Sequence, residues 1–120
     1  MDQTALIDVE LDRGHLPAAL VVRISGELDF GTTPKVLSVI EGEPPAGSSM
    51  IVDLSEVGFC DSSALGVLIL VQQATETVGG RTFLAGAQRQ VSSALRVTSL
   101  DQLFVMCADV DAALHEIRTA

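Results

Sequence analysis

Aromatic residues are nearly missing: the chain has four phenylalanines, no tryptophan and no tyrosine among 120 residues. The apolar share is nonetheless 48%, so a core has to be assembled from Val, Leu, Ile and Ala. That composition suits a layered α/β domain. Positive charge is also scarce. Seven basic residues face 16 acidic ones for a net charge of −9, and Lys35 is the only lysine. Such a surface opposes the phosphates of nucleic acid and of anionic lipid, which excludes direct binding to either.

Long apolar runs are missing too. The longest, Ala64 to Val71 with Gly66 inside it, falls far short of the roughly 20 residues that a membrane span needs. The opening MDQTALIDVELDRG is acidic and alternating, where a secretory signal carries positive charge and then an apolar stretch. A cytoplasmic chain is expected, organised as one domain over residues 1–120.

The chemistry of catalysis is equally thin. The two histidines, His15 and His115, lie far apart in sequence, and a nucleophile needs a base within reach. Ser62 is flanked by Asp61 and Ser63 and not by the glycines of a nucleophile elbow. Neither Ser62 nor Cys60 therefore has a general base in a known motif. Cys60, Cys107 and the histidines are too scattered for a metal centre, and the glycines form neither a dinucleotide fingerprint nor a phosphate loop. No catalytic residue, cofactor or metal is expected. Cys60 and Cys107 are read as reduced, buried structural residues.

What is present is an ordered alternation of strand and helix signals. Thr4–Leu11 and Ala19–Ser25 read as an opening hairpin, and Gly26-Glu27-Leu28-Asp29 follows it. Thr32–Ile40, with Pro34 in its first turn, predicts a helix ended by the Gly42–Gly47 loop. Met50–Leu54 predicts a central strand buried on both faces. Val67–Val71 has strand-like residues, but Asp61-Ser62-Ser63 supplies N-cap chemistry before it and Gly79-Gly80 a stop behind it, which predicts a helix of about 16 residues. Thr82–Ala85 follows as a strand, Gln88–Val97 as a helix, Leu103–Cys107 as a short strand and Asp109–Ile117 as a last helix. The sum is a mixed sheet of four to five strands, an N-terminal hairpin followed by parallel right-handed crossovers, with about four helices packed mainly on one face.

Asp61-Ser62-Ser63-Ala64-Leu65-Gly66 stands where small hydroxylated residues meet the free N–H groups of a helix start. Taken alone, that is an ordinary cap. Together with Gly26-Glu27-Leu28-Asp29, Ile51-Val52-Asp53-Leu54-Ser55 and the order of elements along nearly the whole chain, it resembles the STAS domain, and within it the anti-sigma factor antagonists, a resemblance that implies a turn at Gly26–Asp29 after the second strand. The motif of that family runs Asp-Ser-Ser/Thr-Gly-Leu-Gly. Ala64 stands here in place of its usual first glycine, and Ser99 where glycine often precedes the leucine.

The resemblance implies a bacterial phosphoswitch in the cytoplasm, with no enzyme activity of its own. It implies that Ser62 is the phosphorylated residue, with Ser63 as the alternative. It further implies an anti-sigma factor that is also the serine kinase, a PP2C-type phosphatase, and a partner surface of Asp29, Asp61, Ser62, Ser63, Ala64 and Leu65. Oligomeric state stays open between a monomer and a weak dimer. The competing expectation is a STAS module that serves as a scaffold in a larger signalling or transport assembly. Asp61 is read equally as a cap and as a charge facing the partner. Ala64 is expected to stiffen the first helical turn and to alter how closely a partner backbone approaches Ser62.

Overall fold

The computed structural model describes residues 7–119. The chain folds as β1 (Ile7–Asp12), β2 (Ala19–Leu28), α1 (Thr33–Ile40), β3 (Ser49–Cys60), α2 (Ser62–Thr77), β4 (Thr82–Ala85), α3 (Arg89–Val97), a 3-10 turn (Leu100–Leu103), β5 (Val105–Cys107) and α4 (Val110–Thr119). The five strands lie side by side in sequence order, β1-β2-β3-β4-β5. The first pair is antiparallel and the other three are parallel. This is the mixed sheet expected from the sequence. The Thr4–Leu6 part of the predicted first strand lies outside the described residues.

Alternation along the strands sorts the apolar residues between two faces. Leu20, Val22 and Ile24 of β2, Met50 and Val52 of β3 and Leu84 of β4 join Val36 of α1, Val67 and Leu68 of α2, and Val91 and Leu95 of α3 in one buried cluster. Ala19, Val21, Ile51, Phe83 and Ala85 point the other way and are covered by Ala113 and Leu114 of α4. Three helices thus pack on one face and the last on the other. Among the described residues, no helix is long and apolar enough to cross a membrane.

Where β3 and β4 enter the sheet the chain is tightly drawn. A Cβ at Gly80 would stand 2.0 Å from the carbonyl oxygen of Ser48, so only glycine fits there. The opposite occurs after α3. Ser99 is the one non-glycine residue with positive φ among the described residues, at +61°, a left-handed conformation that favours glycine. This accounts for the glycine that the resembling family often carries at that place.

Four expectations need correction. Gly26-Glu27-Leu28 is not a turn. β2 continues through it, pairing Ser25, Gly26, Glu27 and Leu28 with Glu56, Val57, Phe59 and Cys60 of β3. β3 correspondingly runs six residues past Leu54, to Cys60. The last strand begins at Val105, because Leu100–Leu103 is wound into the 3-10 turn. Cys60 and Cys107 are free thiols, as read, but each is only partly buried.

Candidate functional site

Beyond the reach of β4 the extension of β2 and β3 forms an arm, in which β1 still pairs with β2 as far as Gly26. β4 pairs with β3 only as far as Asp53, so Ser55–Cys60 has β2 as its single neighbour. The ladder shifts register between Arg23 and Ser25 and again between Gly26 and Glu27, each time with one extra residue in β3. Each bulge moves the inward position by one residue. Leu54, Val57 and Cys60, spaced three apart, accordingly all pack on the helical core. Gly26, at φ +123°, takes a backbone conformation that only glycine adopts easily.

The arm ends at Asp61. Its N–H donates to the carbonyl of Leu28 (3.1 Å), tying the two strands together at the tip. Its side chain caps α2, Oδ1 accepting from the N–H of Ala64 at 3.1 Å. Oδ2 accepts from the N–H of Phe30 at 3.1 Å. One carboxylate therefore fixes both the start of the helix and the loop that follows β2. The cap was legible in the sequence, and the bond to Phe30 was not.

Asp29 lies beside this junction. Its carboxylate accepts from the N–H groups of Gly31 (2.9 Å) and Thr32 (3.1 Å). The Thr32 hydroxyl in turn accepts from the Asp29 N–H and donates to the Glu27 carbonyl at 2.7 Å. Asp29 thus shapes its own loop and leads the chain into α1.

Ser62 is the first residue of α2 and is exposed. Asp61 supplies the cap, so no protein hydrogen bond engages the Ser62 hydroxyl among the described residues. The first four N–H groups of a helix lack intrahelical partners. Counted from the capping residue, that of Asp61 goes to the Leu28 carbonyl and that of Ala64 to the Asp61 side chain. Those of Ser62 and Ser63 stay free among the described residues. Ser63 is half-buried and Leu65 packs partly against the core.

The Ala64 methyl is fully buried within the helical core cluster. It faces the sheet and fills the first turn of α2 from within. The exposed stripe of α2 runs instead through Ser62, Gly66 and Leu70. A Cβ at Gly66 would have nothing within 4 Å.

The Cys60 thiol, one residue before Asp61, is poorly suited to nucleophilic work. Burial, with the Asp61 charge adding to it, pushes its pKa up to about 11, so at neutral pH almost none is thiolate. Phe30 escaped the sequence reading. Its signal was present, as one of only four aromatic residues directly following Gly-Glu-Leu-Asp.

With this geometry in view, comparison with known proteins identifies the family. A family model described as the STAS domain matches residues 7–113. The chain belongs to the STAS domain family. A STAS-domain containing protein of Pseudomonas aeruginosa is 30% identical over 93 residues, 74% of this chain and 92% of that one. An anti-sigma factor antagonist from Mycobacterium paratuberculosis has a similar structure, with a TM-score of 0.74 and 25% identity over 93% of this chain and 94% of that one. The Bacillus cell fate determinant SpoIIAA, solved in its phosphorylated form, shares the fold with a TM-score of 0.71 and 22% identity, over 92% of this chain and all (100%) of that one.

Proposed function

We propose that this STAS domain is an anti-sigma factor antagonist of the bacterial cytoplasm. Unphosphorylated, it binds an anti-sigma factor that is also a serine kinase and so releases a sigma factor. Phosphorylation of Ser62 ends the binding, and a PP2C-type phosphatase restores it. The observation that carries this reading is the state of Ser62, an exposed hydroxyl on a helix start whose cap is already filled by Asp61. Modification there costs the fold no hydrogen bond.

The electrostatics agree. A phosphate of about −1.5 to −2 charge lies favourably at the positive end of α2, close to the free N–H groups of Ser62 and Ser63. To a partner the same group adds charge and bulk beside Asp61. A loss of about 3 kcal/mol of differential affinity is more than a hundredfold in binding, and no rearrangement of the domain is needed for it.

The test is incubation with ATP and the serine kinases encoded near this chain in its genome, read by intact mass. One phosphate is expected on the wild type and none on Ser62→Ala, which keeps its affinity for the kinase, while Ser62→Asp loses affinity at unchanged melting temperature. Phosphate on Ser63 alone would reassign the switch. No phosphate at all would favour a scaffold role for the module.

A further inference from the structure

Of the four phenylalanines, Phe83 and Phe104 are in the interior, 0% and 7% exposed, while Phe30 is 80% and Phe59 40% exposed. Both exposed rings stand at the tip of the β2–β3 arm. Phe59 is two residues before Asp61, and the backbone of Phe30 is bonded to the Asp61 carboxylate. An aromatic-poor chain thus places half of its aromatic residues, unburied, next to its candidate switch. Neither ring serves the core.

The loop presenting Phe30 is pre-ordered. Asp61 holds its N–H, Asp29 accepts from the next two N–H groups, and the two threonines that follow are buried. A ring displayed on a fixed backbone loses little freedom on binding, and such residues carry a large share of interface energy. The two segments that form the tip carry charge of one sign. Residues 25–33 and 55–63 contain Glu27, Asp29, Glu56 and Asp61 and no Lys or Arg.

We infer that Phe30 is the apolar anchor of the partner interface, with Phe59 as its support, and that it seats in an apolar recess of the partner rimmed by Lys or Arg side chains. The inference rests on the proposed function and names the residue that fixes partner affinity. It also gives the switch a physical route. Burying Phe30 requires dry contact beside Asp61, and a phosphate on the next residue keeps that place hydrated.

The test measures binding of the purified serine kinase/anti-sigma factors of the same genome to wild type, Phe30→Ala, Phe30→Leu and Phe59→Ala, with Ser62 phosphorylation followed in parallel. Phe30→Ala is expected to weaken binding at least about tenfold at unchanged melting temperature. Phe30→Leu should recover part of the affinity, and Phe59→Ala should lose less. Added salt should weaken the wild-type complex. Phe30→Ala binding within twofold of wild type, with Ser62 still phosphorylated, overturns the anchor and leaves the switch standing. Loss of binding in Phe30→Ala, with a wild type that binds but takes no phosphate on Ser62, supports the anchor and removes the switch. A wild type that binds none of these kinases overturns both. A wild-type dimer in sedimentation that Phe30→Ala dissolves would assign the arm tip to a second copy of this chain and overturn the stated partner.

Discussion

The two halves of β3 obey different rules. Met50–Asp53 is paired on both sides, by β2 and β4, and its apolar residues are fully buried on alternate faces. Ser55–Cys60 has one paired neighbour and two register shifts, and it exposes Phe59. The first half holds the sheet together, and the second carries Asp61 out to the candidate site. Stability and candidate site are thus separated along a single strand, so changes at the tip should disturb the fold less than changes in the paired half.

Substitutions grade that contrast. Leu84→Ala, in the fully buried β4 beside the paired half of β3, is expected to cost about 3 kcal/mol in urea unfolding. Gly80→Ala forces a methyl against the Ser48 carbonyl and is expected to cost about 2 kcal/mol as the backbone shifts. At the tip, Asp61→Ala removes a cap and the acceptor of the Phe30 N–H. About 1.5 kcal/mol is expected from the two bonds, with faster hydrogen exchange at the Phe30 amide. A cost equal to that of Leu84→Ala would show that the arm is part of the core, and the contrast would fail.

The smallest effect has the opposite sign. Gly66 is exposed, its missing Cβ would touch nothing, and alanine is the better helix former. Gly66→Ala is therefore expected to stabilise by about 1 kcal/mol, or about 4 °C in melting temperature for a domain of this size. A loss of stability would mean that this face of α2 is closed in the free protein.

These differences also explain what the sequence revealed. The start of α2 was legible because a cap is local chemistry, written in Asp61-Ser62-Ser63 themselves. Thr82–Ala85 was legible because a short buried run between a glycine pair and a helix allows little else. The arm was hidden for a physical reason: its two bulges replace the two-residue period by a three-residue one at Leu54, Val57 and Cys60, so alternation stops while the strand continues. The contact of Asp61 with Phe30 joins residues 31 apart in sequence, and no local pattern encodes it. The burial of Ala64 was not legible because the first-turn face that meets the sheet depends on how α2 docks. Ser99 was noticed as a departure, but its cause lay in a backbone angle.

The sequential strand order bears on how the molecule is made. Each strand pairs with the one synthesised before it, so none has to be threaded between two already joined. The sheet can grow from one edge as the chain emerges, each helix laid over a ladder that already exists, which suits folding during synthesis. Parallel sheets of scrambled order must wait for distant segments before any central pair forms. Here the wait is confined to the final step, when α4 arrives last and covers the second face.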